Sequence, residues 1–574
     1  MKKQSFIGGA LILTVSTMIV KVIGMFYKIP LGNILGAVGM SCFMTAYAIF
    51  TPVYSLSVSG FPAAISKMVS ERLARGKRGE AGKVFRVSLY FLIALGLASF
   101  AVLFFGADAL SAAIGNPDAA LAVAAMAPSL FFCCIMAAVR GYYQGLGDMR
   151  PTALSQILES VFKLACGIAF ALYFLNLGLA QFEQTGAVFG NKVADAQGAE
   201  LAALPWAAAG ALAGVSVSSV IGALYLLVYR LVKGRGIARE APAKPLPGYG
   251  PLLRELVRVA FPVCLASMLA HVTSLVDVAT VMHRIGAAMQ ADNGVVMAMY
   301  RHLLPAGLSE AGVPSYLYGA YQYTSSIVNL VPSITIALGV SALPVITAKW
   351  TVGNRRQTGE QIISVVKLSA LIAIPAGLGI SALSQPILEL LYPSRMQEIA
   401  IAAPILRVMG VAAVLIGVTT PIASIFQAIG RPGVPVKLMA AGALIKVISN
   451  YVLVAVPALN INAVPVGTLL CYAFIMIVGL HMLNRELGGG LGLAGLFIKP
   501  VLCGIICAVS ANTSYGLISR FIQSRAVVLL SVAIGGAFYL VFVLFLRIIS
   551  KNEVLMLPKG KKIAKILEKL SLLR

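Results

Sequence analysis

The sequence predicts an all-α integral membrane protein. Fourteen transmembrane helices are expected, as two six-helix lobes forming a parallel repeat plus two C-terminal helices. Three observations predict it. Apolar residues make up 59% of the 574 and charged residues only 11%, against roughly 45–50% and about 25% in soluble domains. The cations gather at alternate ends of the apolar runs. The chain also resembles itself at a separation of about 280 residues.

An apolar run of about 20 residues crosses the hydrocarbon core as a helix. Fourteen such runs occur in order: 5–27, 43–66, 84–107, 119–139, 152–177, 205–229, 256–282, 316–348, 362–383, 401–427, 436–457, 463–483, 496–519 and 526–547. The first follows Met1-Lys2-Lys3 as a secretion signal would. It outlasts the usual apolar core of about 7–15 residues, and no small-residue cleavage site follows, so it is read as a true span.

The net charge of +25 suggests nucleic acid on a soluble protein, but membrane proteins accumulate Lys and Arg in cytoplasmic loops. With the N-terminus placed in the cytoplasm, inside segments hold 34 of the 45 cations, outside segments seven and the spans four. That bias predicts both termini inside. It also removes the nucleic-acid reading, because the cations are scattered over many loops.

The repeat is seen in Gln144-Gly145-Leu146-Gly147 continuing to Lys163, which returns as Gln427-Ala428-Ile429-Gly430 continuing to Lys446, 283 residues on. Pro62 and Lys67 return as Pro344 and Lys349. An even number of spans separates the copies, so both enter the membrane in the same direction. The organisation predicted is a first lobe over 1–235 (spans 1–6), a linker over 236–253, a second lobe over 254–490 (spans 7–12), spans 13–14 over 491–548, and a tail over 549–574. In the tail Lys559, Lys561, Lys562, Lys565 and Lys569 alternate with Ile563, Ile566, Leu567 and Leu570. That pattern reads as an amphipathic helix on the anionic lipids of the inner leaflet.

Ionisable groups inside spans are costly and are functional candidates by default. They are Lys21, Glu159, Lys163, His271, Asp277, Arg407 and Lys446. Lys163 and Lys446 hold equivalent repeat positions, each about 17 Å into its span at 1.5 Å per residue. They are candidate cavity cations together with Lys21. For Lys163 an i,i+4 ion pair with Glu159 is the competing reading. Near Lys446 the same helix face offers Asn450. Asp277, like Glu159, is a candidate for ion coupling or ion pairing. Lys28 and Arg284 lie at the outer ends of spans 1 and 7, where they mark an outer mouth or snorkel to headgroups. Span 8 carries Gln322, Ser325, Ser326, Asn329 and Ser333 along one face. Span 2 carries Tyr47, Thr51, Tyr54, Ser55 and Ser59 less regularly. These polar faces suit a wet cavity for sugars or, alternatively, hydrogen bonding between helices. Gln322, Ser326 and Asn329 are accordingly candidate substrate contacts.

Enzymatic signatures are missing from the sequence: there is no phosphate-binding Walker loop, HExxH or GxSxG. The eight cysteines all lie in apolar runs without CxxC spacing, so neither disulfides, a metal nor a cofactor is expected. The reading is a transporter, not an enzyme.

The segment Arg140-Gly141-Tyr142-Tyr143-Gln144-Gly145-Leu146-Gly147-Asp148-Met149-Arg150-Pro151-Thr152 resembles the polysaccharide and lipid-linked oligosaccharide flippase branch of the MOP (multidrug/oligosaccharidyl-lipid/polysaccharide) exporter superfamily. Within that branch it resembles the stage V sporulation protein B group, relatives of the lipid II flippases. Lys21-Val22-Ile23-Gly24-Met25-Phe26-Tyr27-Lys28-Ile29-Pro30-Leu31 and Ser59-Gly60-Phe61-Pro62-Ala63-Ala64-Ile65-Ser66-Lys67 share the likeness, as does the Leu557-Pro558-Lys559-Gly560 tail. The resemblance covers essentially the whole chain. It implies a flippase of the bacterial cytoplasmic membrane that moves an undecaprenyl-diphosphate-linked saccharide by alternating access, working as a monomer, with the lipid-linked anion as partner. Basic cavity residues would hold the diphosphate. Lys21 matches a cavity arginine of such relatives, keeping the charge but not the bidentate geometry. Where a second arginine stands in them, this chain has Tyr27 beside Lys28. Spans 13 and 14 would form a groove for the lipid tail. The alternatives are a cation-coupled multidrug exporter of the same superfamily and a membrane-embedded polysaccharide polymerase or ligase.

Overall fold

A computed structural model describes residues 6–233, 248–488 and 492–548. Most of the expected linker and the whole amphipathic tail over 549–574 lie outside the described residues. The chain divides into two compact units, one of Met1–Gly286 with Leu304–Gly319, the other of Ala287–Leu303 with Ala320–Arg574.

The first unit is built from α1 (Phe6–Tyr54), α2 (Phe61–Ala74), α3 (Arg78–Phe105), α4 (Ala107–Ile114), α5 (Ala120–Gly145), α6 (Arg150–Thr185), a two-residue hairpin pairing β1 (Ala187–Val188) with β2 (Asn191–Lys192), α7 (Ala196–Lys233) and α8 (Tyr249–Ala291). The second holds α9 (Asn293–Tyr300), most of α10 (Val313–Val328), α11 (Leu330–Thr351), α12 (Arg355–Ala382), α13 (Ser384–Leu391), α14 (Met396–Ala428), α15 (Gly433–Leu453), α16 (Val464–Glu486), α17 (Leu493–Ile518) and α18 (Val527–Phe545).

Among the described residues thirteen helical segments are long and apolar enough to cross a membrane. The count differs from fourteen at the first, Val15–Ala74, a run of 60 residues covering both of the first two expected spans. At 1.5 Å per residue it would measure about 90 Å, three times the hydrocarbon thickness. The loop expected near residues 28–42 is helical instead, and Gly36 alone breaks it (φ 57°, ψ −171°). Only a residue without Cβ adopts that geometry without strain. A second difference lies in span 8, which is split into α10 and α11 at Asn329. Pro332 has no N–H to offer the Val328 carbonyl, although Asn329 N–H still reaches Ser325 and Ser333 N–H reaches Asn329.

Most of α8 packs with the first unit. Gly60 explains why: an added Cβ there would strike the Ala260 carbonyl and Cys264 Sγ, and Gly60 N–H donates to that sulfur at 3.2 Å. Near the start of α8, Glu255 takes both amino groups of Arg72 on α2, at 2.6 and 3.3 Å. In α5, Gly141 and Gly145 lie against Pro62, Ser66 and Val69 of α2 so closely that a side chain would not fit. Gly141 and Gly145 of the Arg140–Gly147 motif thus serve close helix approach, whereas Gly147 follows the helix end at φ 80°. All eight cysteines are free thiols.

Candidate functional site

Lys163 lies on the fourth turn of α6, a helix that opens with Pro151 in its first turn and Asp148 accepting from Arg150 N–H at 3.2 Å. Thirteen residues separate it from the helix start, about 20 Å at 1.5 Å per residue. Its ammonium donates to Tyr47 Oη at 2.6 Å. It also stands 4.9 Å from the centre of the Tyr47 ring and 5.4 Å from that of Tyr27, within reach of cation–π attraction to both. These tyrosines flank Gly36 in α1, and the break there turns one helix into two walls around a single lysine. Phe43 ties the walls together, 6.1 Å from Tyr27 and 4.9 Å from Tyr47 between centroids.

The cage has a floor made by two glycines. A Cβ on Gly167, one turn beyond Lys163, would fall 2.6 Å from Tyr27 Oη, and one on Gly214 of α7 would strike the Gly167 backbone. This close crossing of α6 and α7 admits the buried Tyr27 phenol, which donates to the Ala211 carbonyl at 3.3 Å. An ammonium has three N–H groups. With one given to Tyr47, two remain for an anion. Lys28, half-buried on α1, lies close enough for its charge and that of Lys163 to repel. Lys21 is seven residues earlier on the same face of α1 and is exposed. Three cations thus share one side of the first unit.

Glu159 does not pair with Lys163. Its carboxylate receives Arg140 Nη2 at 2.9 Å, while Arg140 Nε donates to Ser155 Oγ at 2.9 Å. The planar guanidinium satisfies two acceptors in one fixed fork, so the i,i+4 pairing weighed from the sequence gives way to a bridge between α5 and α6. Neither the arginine nor the tyrosine cage was singled out from the sequence. Gly167 one turn after Lys163 was the available signal for the cage.

The other candidates are dispersed. Lys446 is half-buried on α15 and Asn450 fully buried one turn on, its Oδ1 occupying the space left by Gly467 of α16. Gln322 is buried on α10, whereas Asn329 is exposed. Ser326 hydrogen-bonds Tyr392, and the Ser325 and Ser333 hydroxyls donate back to the carbonyls of Gln322 and Asn329. Interhelical and intrahelical bonding therefore absorbs part of that stripe. Asp277 and Arg284 are half-buried on α8; His271 and Arg407 are exposed. Among the described residues no cluster of His, Cys, Asp or Glu is able to hold a metal.

Residues 6–194 match the family described as "Polysaccharide biosynthesis protein", and residues 311–452 match the MatE family. Lipid II flippase MurJ of Bacillus subtilis (strain 168) is 25% identical over 551 residues, covering 93% of this chain and 94% of the relative. Stage V sporulation protein B of the same organism is 23% identical over 564 residues, covering 97% and 98%. Among solved structures, a lipid II flippase MurJ in an inward closed conformation superposes with TM-score 0.62 at 15% identity, over 94% of this chain and 99% of the other. An inward-facing multidrug resistance MATE transporter of the MOP superfamily superposes with TM-score 0.61 at 16% identity, over 84% and 98%.

The family matches cover separate parts of the chain, and the superpositions over most of its length show that it shares the fold of these solved transporters. It is a multi-pass membrane protein whose matches include a lipid II flippase and a multidrug transporter rather than enzymes.

Proposed function

We propose that the protein is a flippase for an undecaprenyl-diphosphate-linked saccharide, lipid II-like or a polysaccharide precursor, moved between leaflets by alternating access. The observation that carries this reading is Lys163, a cation about 20 Å along its helix, held by Tyr47 Oη at 2.6 Å, with Glu159 engaged elsewhere. A cation at that depth is expensive, the more so with Lys28 nearby, and the cost is offset when a diphosphate occupies the site. Lys163, Lys28 and Lys21 would bind phosphate oxygens from the first unit. Lys446, Asn450, Gln322, Ser326 and Asn329 would serve the second, and Arg284 the outer mouth. Both termini are taken to be cytoplasmic, with the tail on anionic inner-leaflet lipids and the protein acting as a monomer. Coupling to an ion gradient would run through Asp277, since Glu159 is held by Arg140.

A cation-coupled drug exporter of the same superfamily is the second reading, supported by the MatE match. It would call for carboxylates open to the cavity, and the Arg140 bridge argues against Glu159 in that role.

The test is leaflet exchange of a fluorescent undecaprenyl-diphosphate saccharide by the protein in vesicles. Wild type is expected to exchange it without covalent change, Lys163→Ala to lose exchange and Lys163→Arg to keep part of it. Wild-type exchange by Lys163→Ala would refute the cavity assignment. Proton-driven efflux of a cationic dye with no lipid exchange would favour the drug exporter.

A further inference from the structure

From Leu35 to Phe50 every residue of α1 is buried except Met44 and Tyr47. Beyond them Thr51, Val53 and Tyr54 are half-buried. Met44, Tyr47, Thr51 and Tyr54 fall at the spacing of one helix face, and Val53 lies off it. A helix otherwise wrapped by its neighbours thus opens along one strip, and three of the four side chains on that strip carry hydroxyls.

The polar residues of this stretch do different things. Ser55 is buried, and Ser59 Oγ turns back to the Ser55 carbonyl at 2.6 Å. Tyr47 Oη accepts from Lys163 and keeps its own O–H to donate. The Thr51 and Tyr54 hydroxyls make no hydrogen bond among the described residues, yet neither oxygen is closed off from solvent. Unpaired hydroxyls facing hydrocarbon are costly, so the strip calls for a polar occupant.

The two ends of the strip define its class. At one end the Lys163 ammonium sits on Tyr47 Oη at 2.6 Å. At the other, Arg140 and Glu159 lie close enough for their charges to reach the Tyr54 phenol, but they are spent on each other at 2.9 Å. The strip between carries no charge of its own. It offers two aromatic rings and three hydroxyls over seven residues, about 10 Å at 1.5 Å per residue. Rings with polar tips suit a ligand that is uncharged, rich in hydroxyls and apolar on its C–H faces, which describes a short saccharide. In a diphosphate-linked saccharide the sugars begin where the phosphate ends. An anion held by Lys163 would lay the first of them along this strip.

We propose that Tyr47, Thr51 and Tyr54 form a saccharide subsite, carrying the sugars nearest the diphosphate while Lys163 holds the phosphate. The subsite rests on the flippase reading and extends it from the phosphate to the sugar.

The experiment follows leaflet exchange of two lipids by the full chain in vesicles, each fluorescently labelled on its tail: undecaprenyl diphosphate, and the same lipid bearing a disaccharide. Wild type should exchange the disaccharide lipid faster. Thr51→Val and Tyr54→Phe keep the side chain's shape and remove its hydroxyl. Each should lower that preference by about three- to tenfold, the weight of one neutral hydrogen bond. Lys163→Ala should lower exchange of both lipids without moving their ratio. Three outcomes would overturn the subsite: no preference in wild type, a preference that both hydroxyl variants retain, or an equal loss of both lipids in either of them. Exchange of neither lipid by wild type would remove the flippase reading itself, and the subsite with it.

Discussion

The helices α6 and α15 carry the two repeat-related lysines, and each crosses the following helix one turn beyond its lysine at a glycine. The surroundings then diverge. In the first copy Gly167 meets Gly214, and the space goes to the phenol of Tyr27, which helps cage Lys163. In the second, Asn450 replaces Gly167 in the repeat register and fills the space at Gly467 itself. The same divergence recurs nearer the start of the two helices, where Arg140, Ser155 and Glu159 give way to Ala423, Leu438 and Gly442. Duplication kept the lysine and the close helix crossing. The side chains around them were released to specialise, one copy toward aromatic caging and ion pairing, the other toward an amide and apolar packing around Gly442.

The largest expected effect comes from deleting the lysines one at a time. Lys163→Ala should lower leaflet exchange by about 10- to 100-fold, the worth of ~1.5–3 kcal/mol of hydrogen bonding to a charge. Lys446→Ala should cost less, because Asn450 and not a glycine stands one turn beyond it in the repeat register. Equal losses in the vesicle assay would erase the functional difference between the copies.

Glycine substitutions sharpen the comparison next. Gly167→Ala pushes a methyl into the Tyr27 phenol and should destabilise by about 1–3 kcal/mol through overpacking, while exchange falls further than thermal stability accounts for. Gly467→Ala should lower the unfolding midpoint similarly but spare the Lys163 cage. Tyr27 fluorescence quenching by Lys163-directed labels distinguishes the two, and an unmoved Tyr27 in Gly167→Ala contradicts the floor role.

Removal of Arg140 strands a partly buried Glu159. Arg140→Ala is expected to cost about 2 kcal/mol, below the 3–5 of a fully buried broken pair because both groups keep some solvent. Glu159→Gln in the same background should recover part of it, as a shift in unfolding midpoint. No recovery would mean the bridge does not hold α5 to α6.

The smallest effect belongs to the second unit's α9 segment. Tyr300 Oη donates to Asn460 Oδ1 at 2.6 Å and accepts from Asn462 Nδ2 at 3.1 Å. Burial pushes the phenol up to about 12, so it stays a neutral donor at ordinary pH. The tie should add stability fully below pH 10, the unfolded tyrosine value, and lose it as pH rises toward 12. Tyr300→Phe should cost about 1 kcal/mol at pH 8 and flatten that alkaline loss in a thermal scan.

Reading the sequence reached the helical membrane class, because it depends on composition and on the length of apolar runs. It missed partners. Glu159 four residues before Lys163 is as good an ion pair as helix geometry offers, and nothing local reveals that Arg140 on another helix takes it. The break in Val15–Ala74 falls inside the loop expected over 28–42, but its form differs for a related reason. Hydropathy dips across residues 28–42 and suggests a loop, yet one glycine suffices to redirect a helix whose backbone bonds are otherwise satisfied.

By itself the sequence determined that this chain must lie in a bilayer and cross it many times. Burying so many apolar residues with so few charges has no other solution. The tertiary structure alone decided which cation is caged and which acid is neutralised. Those outcomes turn on glycine-sized gaps between helices distant in sequence, and a gap exists only once both of its walls are in place.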